Sequence, residues 1–269
     1  MRVDLHVHST ASDGSLSPGA VVSAAGAGGL DIIALTDHDT AAGYPEARDA
    51  AIGIIHVIPG IEISSSHGDG ELHILGYYID PGHPAMTGHG HDARQRRNDR
   101  MSEMLEALRG QGVEMELAEV VAAAGPAEGL ARPHLARVLI QRGYAQNVSH
   151  AFERWIGDAC PAYRPVNLLN PAQAIDRIHE AGGIAVWAHP PMDTFRSEIR
   201  RFRAQGLDGV EVFRPRCPAS DSLELEREAN ALGLLVTGGS DWHGDWNGRL
   251  GSFALGREEV GAMLERGGI

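Results

Sequence analysis

The stretch RVDLHVH, residues 2–8, decides how the rest of the chain is read. Side chains alternate across a β-strand, so Val3, Leu5 and Val7 share one face while His6 and His8 share the other. Two imidazoles on one face at a strand's end are either half a metal site or solvated surface. The choice depends on what other strands carry at the same end.

Outward from this strand, apolar runs alternate with helical patterns. Further strands are expected at DIIALTDH (31–38), IHVIPGIEIS (55–64), ELHILGYYI (71–79), GIAVWAHP (183–190), GVEVFRP (209–215) and GLLVTGGSD (233–241). Helices are expected at SPGAVVSAAGAGG (17–29), with Ser17 as N-cap and Pro18 at the first helical position, and around Glu46–Ala51. PAQAIDRIHEAG (171–182), EIRRFRAQG (198–206) and SLELEREANALG (222–233) continue the series. Such alternation predicts an α/β fold, a parallel sheet with helices outside, and seven strands favour a barrel. From about Pro84 to Arg164 no strand pattern exists. Met101, Met104, Leu105 and Leu108 share one helical face there, and HLARVLIQRG and SHAFERWIG read as further helices. The expected organisation is therefore a barrel over 1–83 and 165–269, with a helical insertion, a substrate lobe, over 84–164 after the fourth strand.

Composition narrows the function. The 269 residues include two cysteines, Cys160 and Cys217, too few for a disulfide framework, and no apolar run has membrane-spanning length. No signal-peptide pattern precedes the first strand, so a cytoplasmic address and no membrane partner are expected. The net charge of −13 argues against a protein that coats nucleic acid. All 23 basic residues are arginine, which excludes lysine Schiff bases and P-loops. Residues 94–164 hold ten arginines against nine acids, so the acidic excess lies elsewhere.

Sites in parallel α/β folds form at the carboxyl ends of strands. There the expected strands deliver His6, His8, His38, Glu62, His73, His189, Asp241 and His243, with Asp13 in the loop after the first strand. A lone strand-end histidine is more often a surface or core residue than a ligand. So many carboxylates and imidazoles at one mouth would repel and pay desolvation unless cations neutralised them. Nitrogen and oxygen ligands without cysteine suit manganese, zinc or iron, and nine candidates fit two or three ions with a bridging carboxylate.

Together DLHVHSTASDG, ALTDHDT, PGIEIS, ELHILGY, AHP and GSDWH resemble the polymerase and histidinol phosphatase (PHP) family of metal-dependent phosphoesterases. The resemblance implies a distorted seven-stranded (β/α) barrel carrying two or three divalent ions, manganese first, with zinc or iron as alternatives. It implies one ion on His6, His8, Glu62 and Asp241. Glu62 would bridge to a second ion on His73 and His189, and Asp13, His38 and His243 would hold a third. Asp13 stands where some members have histidine, which would retune that third site. The insertion, with ARPHLARVL, resembles the branch containing nucleoside 3′,5′-bisphosphate phosphatases and small 5′–3′ exonucleases acting on RNA.

The expected activity is removal of the 3′-phosphate of a nucleoside 3′,5′-bisphosphate by attack of a metal-bound hydroxide, with His189 and Asp241 in the catalytic centre. Short RNA trimmed from its 5′ end is the near alternative, and a histidinol-phosphate-type phosphatase another. A non-catalytic metal-bound module and a carbon–nitrogen hydrolase are readings of other classes. His134 is the candidate for substrate contact and general acid, against a purely structural place in the first turn of a helix. Arg132 is expected to bind phosphate as a guanidinium fork, joined by Arg137, with Ser9 and Arg249 as weaker contacts. Arg94, Arg96, Arg97 and Arg100 either guide an anionic substrate or form the wet side of a helix. Asp37 and Asp39 either orient ligands or serve turns and caps. His89 and His91 read as loop residues outside the site. The oligomeric state is left open.

Overall fold

A computed structural model describes residues 1–68, 70–125, 130–165 and 168–269. Two compact units emerge, Met1–Gly90 with Leu168–Ile269, and His91–Asn167.

The first unit is built on seven strands: β1 (Val3–Val7), β2 (Ile32–Leu35), β3 (His56–His67), β4 (Gly70–Tyr77), β5 (Ile184–Trp187), β6 (Gly209–Phe213) and β7 (Leu235–Gly238). They lie in the order β1-β2-β3-β4-β5-β6-β7. β1–β2–β3 and β5–β6–β7 pair in parallel, but β4 is antiparallel to both neighbours. An all-parallel sheet is thus corrected. Only residues 68–69 separate β3 from β4, and a parallel return needs a crossover of a dozen or more residues. The reversal matters for the site, because the start of β4, not its end, lies beside the end of β3, where His73 pairs with Ser64.

The sheet curls until β1 meets the segment after β7. Val7 bridges Trp242 in parallel, and the His8 amide donates to the Trp242 carbonyl at 2.9 Å. Val3 and Leu255 exchange amide–carbonyl bonds of 2.9 Å. All five residues of β1 and the adjoining His8 are buried, which removes the solvated-surface reading of His6 and His8.

Ten helices are described: α1 (Pro18–Ala27), α2 (Tyr44–Ala50), α3 (Pro84–Arg109), α4 (Leu117–Ala124), α5 (Arg132–Gln141), α6 (Val148–Ala151), α7 (Pro171–Glu180), α8 (Met192–Ala204), α9 (Ala219–Ala231) and α10 (Arg257–Arg266). α1 starts as its sequence predicts, with the Ser17 hydroxyl accepting from the Ala20 amide. Val21, Val22 and Ala25 of α1 and Ala47 of α2 pack with Val7, Ile33, Leu35 and Val57. α7, α8 and α9 bury Ile175, Ile178, Phe195, Phe202 and Leu225 against Ile61, Ile74, Trp187 and Val212.

In the second unit, Met101, Met104, Leu105 and Leu108 of α3 form one core with Leu135, Val138 and Leu139 of α5. The expected helix at SHAFERWIG is α6 running on into a π-helical turn over Phe152–Ile156.

Candidate metal centre

β1 presents His6 and His8 with their Nε2 atoms 3.1 Å apart. Glu62 Oε2, from β3, lies 3.2 Å from each of these nitrogens. Asp241 Oδ1, just past β7, lies 3.3 Å from each. A tetrahedron whose corners stand about 2.0 Å from its centre, the usual ligand distance of a small divalent ion, has edges of about 3.3 Å. The five separations match edges of such a tetrahedron, so the four residues could hold one ion.

Glu62 extends the cluster. Its Oε1 lies 2.9 Å from His73 Nδ1 and 3.0 Å from His189 Nε2, while its Oε2 lies 3.2 Å from His38 Nδ1. His38, Glu62 and His73 bring ligand atoms close enough to share an ion. A third group joins His8, Asp13, His38 and His243. There His243 Nε2 is 3.3 Å from Asp13 Oδ1, His38 Nε2 is 4.0 Å from Asp13 Oδ2, and the His8 and His243 rings stack at 4.0 Å. His38 thus faces two groups rather than the third alone, and His8 likewise serves two.

The electrostatics fit cations. Burial opposes charge on His6, yet Glu62, Glu211 and Asp241 hold its pKa well above the ordinary value. His8, equally buried, is raised to about 9 by Asp241 and Glu62, and His73 to about 10 by Glu62 and Glu71. Burial instead drives His38 down to about 3. Despite their burial, Glu62 is held well below its ordinary value by His6, His38 and His73, and Asp241 is lowered by His6 and His8. His8 Nδ1 and His38 Nδ1 are buried with no hydrogen-bond partner among the described residues. Orphaned imidazole nitrogens beside shared carboxylates are the donor set that divalent ions complete.

Outside the ligands lies a second ring of buried groups. Glu211 Oε1 is 2.9 Å from His6 Nδ1, and its Oε2 accepts from the His189 amide at 2.7 Å. Asp4 accepts from the Ser240 amide at 2.8 Å and the Ser240 hydroxyl at 2.6 Å, and burial pushes its carboxyl up to about 6. Sequence reasoning missed Glu211 and Asp4. For Glu211 the available signal was a carboxylate inside an otherwise apolar strand, in a sheet covered on both faces; for Asp4 it was the two-residue period that puts it on the face of His6. His189 (φ 29°) and Asp241 (φ 53°), both just past their strands, occupy the left-handed region, a strained conformation for a residue other than glycine.

The remaining sequence-derived candidates make contacts of their own. Ser9 is fully buried, and its amide and hydroxyl donate to Asp37, which assigns it to holding the loop after β1. Asp37 also accepts from the Ser12 hydroxyl. Asp39 accepts from the Ser64 amide and pairs with His89 Nε2 at 3.1 Å. His89 and His91 are not loop residues but belong to α3, His89 buried and His91 exposed. Arg249 is exposed and reaches the Ala27 carbonyl at 3.5 Å.

In the helical unit, Arg132 pairs with Asp158 and lies over the rings of Phe152 and Tyr163. His134 Nδ1 accepts from the Ala131 amide at 3.1 Å, which caps the first turn of α5. Arg137 is exposed and donates to the Ala123 carbonyl. Arg94, Arg96, Arg97 and Arg100 all lie on α3, and Arg100 donates to the Arg164 carbonyl at 2.6 Å.

The PHP domain family model matches residues 4–149. The chain belongs to the PHP domain family. A 5′-3′ exoribonuclease of Haemophilus influenzae is 37% identical over 98% of this chain and 94% of its own length. A 3′,5′-nucleoside bisphosphate phosphatase of Chromobacterium violaceum is 33% identical over 92% of this chain and 89% of its own. A solved structure from Bifidobacterium adolescentis, provisionally described as a metal-dependent phosphoesterase, superposes with a TM-score of 0.83 at 31% identity, covering 98% of this chain and 96% of that one. The curled seven-stranded sheet described above is the PHP barrel architecture.

Proposed function

We propose that this PHP protein is a metal-dependent phosphoesterase that removes the 3′-phosphate of nucleoside 3′,5′-bisphosphates, for example adenosine 3′,5′-bisphosphate to AMP and phosphate. The observation that carries the hydrolase reading is Glu62, whose two oxygens each face separate imidazoles within 3.2 Å. That arrangement suits a carboxylate shared by two ions. His6, His8 and Asp241 would complete one ion, His73 and His189 the second, and Asp13, His38 and His243 a third, with manganese the first choice. Bound divalent ions supply Lewis acidity and charge neutralisation to a phosphoryl group.

The chain's own residues set the conditions for that chemistry. Glu211 accepts from Nδ1 of His6 and so leaves Nε2 as the ligating lone pair. The same carboxylate fixes the backbone of His189. Asp241, lowered by His6 and His8, stays anionic at neutral pH. Contact with the substrate's anionic groups is given to Arg132, His134 and Arg137.

A second reading, a 5′–3′ exoribonuclease on short RNA, is favoured by the Haemophilus influenzae relative. Both readings need hydrolysis at the phosphorus carried by the 3′ oxygen of a 5′-phosphorylated nucleotide. They differ in whether that phosphorus bears a further nucleoside.

The deciding assay offers adenosine 3′,5′-bisphosphate, AMP, histidinol phosphate and a 5′-phosphorylated RNA trimer to the manganese-loaded protein. Phosphate release from the bisphosphate with the highest kcat/KM is expected. A higher kcat/KM for mononucleotide release from the trimer replaces the first reading by the second. No phosphate or nucleotide release from any of the four removes both.

A further inference from the structure

Arg214 follows directly on β6, three residues beyond Glu211 on the strand that supports His6 and His189. Its Nη2 donates to the Pro190 carbonyl at 3.3 Å, immediately after His189. That bond places the guanidinium at the carbonyl one residue beyond His189. Its Nη1 is buried and has no hydrogen-bond partner among the described residues. No carboxylate pairs with it among the described residues, whereas Arg196, on the neighbouring helix α8, is engaged by Glu224 through both Nε and Nη2. Pro215 restricts the backbone of Arg214 to extended conformations, so the side chain starts from a fixed root.

A guanidinium offers five donors in a rigid fork that matches phosphate, and a single carbonyl occupies little of that capacity. We propose that Arg214 is a substrate-binding residue that grips a phosphate group of the ligand beside His189. The assignment rests on the phosphoesterase reading of the same site.

The test compares R214A and R214K with the parent protein, all loaded with manganese. Inorganic phosphate binding is followed by calorimetry, metal content by elemental analysis, and KM and kcat with the best substrate of the panel. For R214A, phosphate binding weaker by roughly 10- to 100-fold is expected, the usual loss of a charge-assisted hydrogen bond. KM should rise in step, with metal content unchanged. R214K should recover part of the affinity, because it restores the charge without the fork. Phosphate binding equal to the parent in R214A overturns the assignment. So does loss of metal together with phosphate, since Arg214 would then act only as a prop for the His189 loop. Arginine-dependent phosphate binding by a protein inactive on every phosphoester would keep Arg214 and remove the functional reading, so the two failures are distinguishable.

Discussion

Glu211 faces His6 across the barrel interior at 2.9 Å, both residues being fully buried. A buried carboxylate on the far nitrogen of a ligating imidazole fixes the ring's tautomer and raises its basicity. Glu211→Gln is expected to weaken metal binding by roughly 10- to 100-fold while the protein remains folded. Competition against a fluorescent chelator measures this, and unchanged affinity would show that the contact is only packing.

Glu62→Gln removes the one charge shared by imidazoles from β1, β4 and the ends of β2 and β5. The loss should exceed about 100-fold, the upper range for an outer partner. Elemental analysis after dialysis should find less than the parent's metal content, and hydrolysis should fall with it.

The pKa shifts fix how the metal-free protein responds to pH. His8 and His73 rise from 6.5 to about 9 and about 10, so the stability they contribute is complete below pH 6.5 and is lost as pH climbs through those values. His38, lowered to about 3, acts oppositely and withdraws stability as pH falls below 6.5. With chelator present, the Tm should therefore decline from pH 6.5 toward 10. Manganese needs neutral imidazoles, so the Tm gain on adding it should be larger at pH 9 than at pH 6. Thermal scans across that range check both slopes.

Gly239 is held to glycine by close approach. A Cβ built there would sit 2.3 Å from the Cβ of His6 and 2.5 Å from its amide nitrogen. Gly239→Ala must push β1 and β7 apart, an overpacking change of about 1–3 kcal/mol. Because His6 moves with the backbone, metal affinity should fall alongside stability. Urea unfolding with a parallel metal titration would reveal any separation of the two.

The strands and the ligand-bearing motifs were legible because strand spacing and strand-end placement are local features. His6 and His8 needed only the two-residue period, and Ser17 and Pro18 announced α1. What was not legible depends on pairing. The direction of β4 turns on how few residues join it to β3, and the assumed alternation hid that. Glu211 lies inside an apolar strand and Asp4 on the histidine face of β1, and only the closed barrel shows that their carboxylates meet His6 and Ser240. Ser9 sits within a quoted motif, yet the fold spends its hydroxyl on Asp37. His89 stands in a glycine-rich stretch that looks like a loop, but α3 carries it to Asp39.

Closure of β1 by Trp242 and Leu255 also orders events during biosynthesis. A ribosome adds roughly 5–20 residues per second, so His6 and His8 wait on the order of 10 s or more for Asp241 to be made. Until then the two imidazoles can meet Glu62 but lack Asp241, the fourth member of their cluster. A cluster of His6, His8, Glu62 and Asp241 can thus form only after Asp241 has been translated.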